Sequence, residues 1–174
     1  MKHFFRTLTA LCLFTLMMLF AAPRLHAEGK PASKLKASAI EVKMIQSDEV
    51  KLPAEFQVAL YEHLVQQLEK KGGFSHVYRD GDHNAANVAD LVVLRSTVYG
   101  FKQGSEKKRE VTTVAGETWI TVHCQFTDNQ GKVLLERDVK GKVRFFGGNL
   151  RATYDFAKKT AAVAHESFSG AEGM

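Results

Sequence analysis

Residues able to bind a cation cluster in the segment Arg79–Asn84, which reads RDGDHN. Three oxygen-bearing side chains stand at alternate positions, as in the first half of an EF-hand calcium loop: Asp80, Asp82 and Asn84. That loop also requires glycine at its sixth position and glutamate at its twelfth, and this chain has Ala85 and Leu91 there. The calcium hypothesis therefore fails. We interpret the segment as a turn, in which Gly81 supplies the turn chemistry and the carboxylates cap nearby backbone N–H groups.

A transition-metal site in the same segment is a weaker alternative, which would use Asp80, Asp82 and His83, with Asp90 as a further ligand. Such a site would serve a metal-dependent hydrolase. It needs further ligands from elsewhere in the chain, and the sequence nominates none. The chain also contains no Gly-x-Ser-x-Gly, His-Glu-x-x-His or Cys-x-x-Cys motif. We therefore expect no catalytic residue, no metal and no cofactor.

The adjacent pair His123–Cys124 suggests a nucleophile and its base. Neighbouring residues of a strand point to opposite faces, so these two side chains cannot form a dyad. Cys124 falls on the apolar side of its predicted strand, which indicates a buried structural thiol with a raised pKa. His123 falls on the polar side, where the sequence offers no obvious carboxylate as its neighbour.

Two other segments have features of phosphate-binding sites. Glu106–Glu110 (EKKRE) is rich in cations, but acids flank them and no aromatic residue is present for base stacking, so we predict a solvated loop. Gly147–Gly148 precedes the last predicted helix. The pair lacks the spacing of a dinucleotide motif or a P-loop, so we predict that it caps the helix rather than cradles an anion. The sequence therefore predicts no nucleic-acid partner.

The remaining candidate is a surface. The only tryptophan, Trp119, falls on the polar side of a predicted strand, and tryptophan is enriched at protein-binding hot spots. The surface that we predict for a protein partner is formed by Trp119, His123, Lys140, Lys142 and Arg144. The alternative is that Trp119 covers the rim of the sheet or lies under the loop 103–110. A third hypothesis, a carrier of a small molecule or lipid, needs an apolar cavity, and the alanine-rich last helix argues against one.

Residues 1–27 have the anatomy of a secretory signal peptide. Lys2 and Arg6 form its basic start, an apolar run too short for a membrane span follows, and Ala27 ends it. We predict cleavage after Ala27, with cleavage after Ala22 and an uncleaved anchor as alternatives. The exported product would be periplasmic or secreted, without stable insertion in the membrane.

Cleavage changes the composition of the chain. The formal net charge falls from +5 to +2, because three basic residues and no acidic residue leave with the signal, so the high isoelectric point is weak evidence for nucleic-acid binding. Cys12 leaves as well, which makes Cys124 the only mature cysteine and excludes an intramolecular disulfide. The remaining 147 residues suit one domain. We predict a flexible lead at 28–35, the domain at 36–168 and a frayed tail at 169–174.

Hydrophobic periodicity defines the elements that must position these residues. Residues 38–45 alternate as a half-buried strand. A helix opens at Pro53 and stops at Lys70–Gly73, where two cations precede two glycines. Its apolar face is formed by Phe56, Leu60, Tyr61, Leu64, Val65 and Leu68. A short strand at 74–78 follows, so the first two strands are predicted to be parallel.

Three more strands complete the predicted sheet. Residues 90–101 begin with a buried run, and 119–126 alternate cleanly between apolar and polar residues. The turn Asp128–Gly131 returns the chain antiparallel through 132–146. The apolar side of this returning strand is formed by Val133, Leu135, Val139, Val143 and Phe145. Arg137 breaks that side, which predicts a sheet edge or a bulge nearby.

The last predicted helix follows Asn149, its expected N-cap. Its apolar stripe is formed by Leu150, Tyr154, Ala157, Ala161, Ala164 and Phe168. The elements predict an α/β fold of α+β character, a two-layer sandwich with a mixed, mostly antiparallel sheet of about five strands and two helices on one face. The order is β-α-β-β-β-β-α if a turn near Gly116 splits a strand, and β-α-β-β-β-α otherwise. The open face would carry the polar sides of the last two strands.

Short motifs along the mature chain carry a family resemblance: Gly73-Phe74, Ala89 to Val93, Asp128 to Leu134, and Phe146 to Gly148. Together they resemble a family of exported bacterial proteins, domain of unknown function 4410, over nearly the whole mature chain. The resemblance implies a bacterial envelope protein of mixed α/β fold and supplies no catalytic residues. Many relatives look like lipoproteins, whereas Cys12 follows Thr9-Ala10-Leu11, which is not a convincing lipid-acceptor sequence. We therefore expect a non-enzymatic exported domain that binds another envelope protein.

Overall fold

The computed structural model describes residues 34–112 and 115–170. The elements in chain order are β1 (Leu35–Lys36), β2 (Ala39–Val42), α1 (Ala54–Lys71), β3 (His76–Arg79), a 3₁₀ helix (His83–Asn87), β4 (Leu91–Lys102), α2 (Glu106–Val111), β5 (Thr118–Asp128), β6 (Val133–Val143), α3 (Arg151–Ser167) and β7 (Phe168–Ser169). The predicted signal peptide, its cleavage site and residues 171–174 of the predicted tail lie outside the described residues. Within them, no helix has both the length and the apolar character needed to cross a membrane.

The main sheet has the strand order β3-β2-β4-β5-β6. β2 lies between β3 and β4 and is parallel to both, whereas β4–β5 and β5–β6 are antiparallel and contain most of the residue pairs. The long helices α1 and α3 pack against each other and cover one face of this sheet. The predicted two-layer α+β sandwich with a mixed sheet is therefore confirmed, as is the parallel pairing of the first two main-sheet strands.

Helix α1 follows the prediction closely. It begins after Pro53, and Gly73 adopts the left-handed conformation (φ 80°) just beyond its end. All the residues of the predicted apolar face are buried: Phe56, Leu60, Tyr61, Leu64, Val65 and Leu68. Full burial of such a side chain contributes about 2 kcal/mol, so this face anchors the helix to the sheet.

The predicted stripe of helix α3 is confirmed at Ala157, Ala161, Ala164 and Phe168, which are buried, and fails at its start. Its buried residues are Ala152, Thr153, Phe156, Ala157, Thr160, Ala161 and Ala164, while Leu150 and Tyr154 are exposed. The prediction is therefore wrong at those two positions. Near this end of the helix, α3 approaches Gly141 of β6 so closely that an added Cβ would overlap the Ala152 carbonyl oxygen and the Phe156 side chain. The missing side chain on the strand lets the phenylalanine pack directly on the sheet.

The strand β6 is shorter than predicted. It ends at Val143, and the prediction is wrong for Val133 and Phe145, which are exposed rather than on the buried side. Apolar alternation thus continues in the sequence past the point where strand pairing stops. The expectation of an edge or bulge near Arg137 is confirmed, because β6 is the edge strand and its register against β5 shifts between Phe126 and Thr127.

A second, smaller cluster lies on the other face of the sheet. The 3₁₀ helix places Ala85 against Ala39, Leu91 and Val93, with Tyr78 and Val88 at the margin. The 3₁₀ helix therefore covers this face of the sheet only over β2 and the start of β4. The outward residues of β5 and β6 lie beyond it and keep their contact with solvent.

The two ends of the described chain are paired with each other. β1 and β7 form a short parallel sheet in which Leu35 is opposite Phe168 and Lys36 is opposite Ser169. The Lys34 ammonium also donates to the His165 carbonyl oxygen at 2.8 Å. Leu35 belongs to the predicted lead and Ser169 to the predicted tail, so strand pairing includes one residue on each side of the predicted domain limits.

Candidate protein-binding face

The open face of β5 and β6 is a ladder of polar side chains. The register places Trp119 opposite Lys142, Thr121 opposite Lys140, His123 opposite Asp138 and Gln125 opposite Glu136. The residues between them on β5 point inward and are fully buried: Ile120, Val122, Cys124 and Phe126. The strict alternation predicted for β5 is therefore present, and it is what turns the polar residues toward solvent.

Trp119 is the aromatic centre of this face. Its ring is half-buried, and the Lys140 ammonium lies 4.5 Å from the ring centroid in a cation–π contact. Gly100 on β4 makes room for it, since a Cβ at that glycine would lie 3.0 Å from the Trp119 ring and 2.8 Å from the Thr121 hydroxyl. The indole is thus held from two sides by the sheet that carries it.

His123 has carboxylate neighbours that sequence reasoning missed. Its Nδ1 lies 2.8 Å from Asp138 Oδ1, and its Nε2 lies 4.0 Å from Glu136 Oε1. Glu136 also accepts a hydrogen bond of 2.6 Å from the Gln125 side chain. The expectation of no obvious carboxylate beside this histidine is wrong. Alternation places these residues on the same face, but their pairing depends on a register that shifts between Phe126 and Thr127, which the sequence does not show.

The charges of the face are divided along its length. Glu136 and Asp138 make one end acidic, whereas Lys140 and Lys142 make the other basic. Arg144, the last predicted residue of the surface, lies beyond β6 and its Nε donates to Glu117 Oε2 at 2.6 Å. Trp119 therefore lies beside the lysines. His123 instead contacts Glu136 and Asp138, and Arg144 is paired with Glu117.

Helix α3 protects the outer edge of β6. The Lys142 backbone N–H donates to Asp155 Oδ2 at 3.0 Å, and the Lys159 ammonium donates to the Lys140 carbonyl oxygen at 2.9 Å. These are edge groups that would otherwise be open to another strand. Near Lys140 and Lys142, contact with a partner would accordingly use the side chains of the face rather than strand addition.

The segment Arg79–Asn84 is a turn, as interpreted from the sequence. Gly81 has φ 81°, and Asp82 caps the 3₁₀ helix by accepting a 3.0 Å hydrogen bond from the Asn84 N–H. Asp80 points elsewhere, toward the end of β2, where it accepts from the Met44 N–H and the Lys43 ammonium at 3.0 Å each. The carboxylates of the two aspartates therefore bind different parts of the chain, Asp80 the residues after β2 and Asp82 the start of the 3₁₀ helix.

The alternative metal site is not assembled around these residues. Asp90, its fourth candidate ligand, lies 3.4 Å from the Lys36 ammonium. In residues 34–112 and 115–170, no group of three or more His, Cys, Asp or Glu side chains is placed to hold a metal ion. The hydrolase hypothesis receives no geometric support from this part of the chain.

The hydrogen bonds that Asp80 accepts lower the pKa of its carboxyl group. The Met44 N–H, followed by the Lys43 ammonium, holds the pKa of the Asp80 carboxyl below its usual value. Conversely, hydrogen bonding to Glu41 raises the pKa of the Lys43 ammonium, against the opposing effect of burial. Glu41 lies only 2.6 Å from that ammonium. The turn is therefore fastened to β2 by charge-assisted hydrogen bonds.

Cys124 is a buried structural thiol. Removal from water raises its pKa to about 12, and only the Ser96 and Thr160 hydroxyls, each 4.0 Å from Sγ, act in the opposite direction. His123 points to the other face of β5, as predicted. The two residues therefore do not form a nucleophile and base.

The segment Glu106–Glu110 differs most from its prediction. It forms helix α2, and Arg109 is only 3% exposed. The guanidinium donates to neutral acceptors at four places: the carbonyl oxygens of Gly116 and Gly147, the Thr118 hydroxyl and the Asn149 side-chain oxygen. Its Nε is buried without a partner. The predicted solvated loop is therefore wrong at this residue.

Asn149 takes part in the same cluster. Its side-chain oxygen accepts from Arg109 at 2.9 Å and from the Thr118 hydroxyl at 2.7 Å, and its N–H donates to Glu106 Oε1 at 2.9 Å. Leu150 occupies the N-cap position of α3 without a side-chain hydrogen bond. The predicted capping role of Asn149 is therefore wrong, because its side chain joins α2 and β5 to the start of α3.

Comparison with known proteins identifies relatives of the fold. No protein-family model matches the chain, and no curated protein matches it. One solved structure of a similar fold is the PelC dodecamer from Paraburkholderia phytofirmans, at 15% identity and a TM-score of 0.56, covering 77% of this chain and 91% of that one. A second PelC structure from the same organism has 15% identity and a TM-score of 0.54, and it covers 80% of this chain and 94% of that one. A Xanthomonas campestris protein of the family of unknown function 330 has 14% identity and a TM-score of 0.45, and it covers 79% of this chain and 85% of that one.

The likeness to the two PelC structures is a likeness of fold. Identities of 15% carry no residue roles from PelC to this chain. The resemblance to domain of unknown function 4410 stays a prediction, since no family model matches.

Proposed function

We propose that this chain is a non-enzymatic domain exported to the bacterial envelope, related to domain of unknown function 4410, and that it binds another envelope protein. The contact would be made by the open face of β5 and β6, through Trp119, His123, Lys140, Lys142 and Arg144. One observation carries the proposal: the Trp119 ring is fixed in place by Lys140 and Gly100 on a face that neither long helix covers. A rigid, partly buried aromatic ring among charged groups is the usual anchor of a protein contact.

The arrangement of charge supports the same function. The basic end at Lys140 and Lys142 and the acidic end at Glu136 and Asp138 would orient a partner with the opposite pattern. The PelC that shares this fold is a dodecamer, which supports including other copies of this chain among the partners to be tested. Nothing in the described residues favours the hydrolase or carrier hypotheses over this one.

The test is site-specific photo-crosslinking in the producing cell. A photoreactive residue replaces Thr121, which lies between Trp119 and His123, and in a matched control it replaces Gln66 on the solvent side of α1. We expect position 121 to crosslink to one envelope protein, position 66 to give none, and Trp119→Ala to remove at least nine-tenths of the adduct. Equal crosslinking from both positions, or none from position 121, would refute the proposal.

Export belongs to the same proposal and has its own readout. If the signal is cleaved after Ala27, protein recovered from the periplasm or the medium should begin at Glu28 on N-terminal sequencing. A protein that keeps its first residues and sediments with membranes would identify the segment as an uncleaved anchor instead.

A further inference from the structure

Two neighbouring aromatic side chains lie exposed just beyond the end of β6. Phe145 is 57% exposed and Phe146 is 76% exposed. Their backbone is held on both sides, because Arg144 bonds Glu117 and the Arg151 guanidinium donates to the Phe146 carbonyl oxygen at 3.3 Å. Both rings are therefore presented to solvent from a fixed backbone, an arrangement that reduces the conformational cost of binding.

An apolar groove lies between the end of β2 and helix α1. It measures about 300 Å³ and is lined by Met44, Ile45, Gln57, Val58, Tyr61 and Glu62. Met44 and Val58 are 60% and 64% exposed, so its apolar walls face solvent. This volume is at the lower limit of ligand pockets, which suits aromatic side chains better than a drug-sized molecule.

The walls of this groove are already ordered. The Tyr61 hydroxyl donates to the Val42 carbonyl oxygen at 3.3 Å and accepts from the Asp80 N–H at 3.0 Å. Glu62 forms a two-point contact with Arg79, whose guanidinium also lies 5.6 Å from the centroid of the Tyr61 ring. The groove thus requires little reorganisation to receive a side chain.

The aromatic pair and the groove cannot meet within one copy. β4 and β5 lie between β2 and β6, which separates the two strands by about 14 Å at the usual strand spacing. The Arg144–Glu117 pair holds the aromatic segment close to β5. A contact between two different surfaces of the same chain is heterologous, and it joins copies head to tail.

The charges around the two surfaces are complementary. Arg144 is neutralised by Glu117 beside the aromatic pair, and Glu62 by Arg79 at the groove. The charge that remains at the aromatic pair is Arg151, whose guanidinium bonds the Phe146 carbonyl oxygen. The charges that remain near the groove are Asp48 and Glu49, which follow Ser47, and the Ser47 hydroxyl accepts from the Gln57 side chain at 3.2 Å. Opposite charges around an apolar contact favour this pairing over one between two like surfaces.

We propose that Phe145 and Phe146 of one copy insert into the groove formed by Met44, Val58 and Tyr61 of a second copy, so that the protein assembles head to tail. The residues that would touch here, Phe145 and Phe146 against Met44, Val58 and Tyr61, are not among the contacts of the proposed function, so the inference does not rest on it. The partner is a second copy of this chain, because the same molecule carries both an apolar knob, formed by Phe145 and Phe146 beside Arg151, and a preformed apolar groove with the acids Asp48 and Glu49 next to it.

The test measures association of the full protein, produced with its own leader, by sedimentation velocity at about 5 to 100 µM. One variant removes the knob (Phe145→Ser with Phe146→Ser), and another places a carboxylate in the groove (Val58→Asp). We expect the wild type to form oligomers and each variant to associate at least tenfold more weakly. Val133→Ser, at an exposed position near the other end of β6, is the matched control and should behave as the wild type does.

Mixing the two variants gives the decisive result. The knob-less copy keeps its groove and the Val58→Asp copy keeps its knob, so the mixture should form a one-to-one dimer and stop there. A monomeric wild type, unchanged assembly of either variant, or a mixture that stays monomeric would each overturn the proposal. Monomers that bind anionic phosphatidylglycerol vesicles through Phe145 and Phe146 would assign the knob to a lipid surface instead.

Discussion

Two charge-rich links between strands look alike in the sequence and behave differently in the structure. Arg79–Asn84 joins β3 to the 3₁₀ helix, and Glu106–Glu110 lies between β4 and β5. Both are predicted to be solvated. The first is a surface turn in which Asp82 bonds the neighbouring Asn84 N–H and Asp80 bonds the Met44 N–H, whereas the second buries Arg109 against four acceptors. Similar local composition therefore leads to opposite degrees of burial.

The difference lies in whether the groups that bond distant parts of the chain are also buried. Asp82 finds its donor two residues away in Asn84, and Asp80 bonds the distant Met44 N–H but stays one-third exposed. Arg109 instead bonds Gly147 and Asn149, which are 38 and 40 residues away in sequence. A buried polar side chain needs acceptors that the fold brings to it, and a charge pattern in a short segment does not reveal them. The cluster around Arg109 is thus a tertiary feature that joins α2, β5 and the start of α3.

The substitution expected to have the largest effect on stability is Arg109→Ala. The substitution removes a buried guanidinium and its bonds to four acceptors, most of them partly buried, so we expect a loss of about 3 kcal/mol in the free energy of unfolding. Urea denaturation followed by the fluorescence of Trp119, the only tryptophan, would measure it. Lys107→Ala, in the same helix and exposed, is the control and should change stability by less than about 0.5 kcal/mol. Equal effects of the two substitutions would mean that Arg109 is solvated, as the sequence suggested.

The elements that could be predicted are those whose signal is contained within the element. The four-residue spacing of Phe56, Leu60, Leu64 and Leu68 specifies the buried face of α1 by itself. The alternation in β5 does the same for the inward and outward residues. By contrast, the exposure of Phe145 depends on where pairing with β5 stops, which its own sequence does not show.

The candidate face shows the same limit. Its strand residues were predictable from alternation, and Trp119 was correctly placed on the polar side. The contacts of His123 with Asp138 and Glu136 required the register across the β5–β6 turn. The packing of Phe156 over Gly141 required knowing which strand the last helix crosses. Residue types could thus be assigned to faces, while partners across elements could not.

Glycine substitutions give a second, smaller test of the comparison. Gly81 and Gly116 both have positive φ, at 81° and 88°. No atom lies within 4 Å of a Cβ added at Gly81, whereas a Cβ at Gly116 would lie 2.5 Å from the Ser105 carbonyl oxygen. We expect Gly81→Ala to cost about 1 kcal/mol for the backbone conformation alone, and Gly116→Ala about 2 kcal/mol. Thermal or urea unfolding measures both. A larger effect at Gly81 would reverse the distinction between an open turn and a packed segment.

The smallest expected effect concerns Asp80 and its dependence on pH. Because the folded-state pKa of this carboxyl is lowered, its stabilisation is complete above the unfolded-state pKa of about 3.9 and is lost as pH falls through the lower folded-state pKa. Asp80→Asn should therefore cost about 1 kcal/mol at pH 7, a value reduced by partial exposure, and the difference from wild type should shrink below pH 4. Urea unfolding at pH 7, 5, 4 and 3 measures this.

The control for this last prediction is Asp82→Asn. The new amide oxygen can still accept from the Asn84 N–H, so we expect a change of less than about 0.5 kcal/mol at pH 7. If Asp80→Asn instead lost the same stability at pH 3 as at pH 7, the charge on Asp80 would not be what fastens the turn to β2. The turn and the Arg109 cluster would then both depend on neutral hydrogen bonds, and the contrast between them would reduce to burial alone.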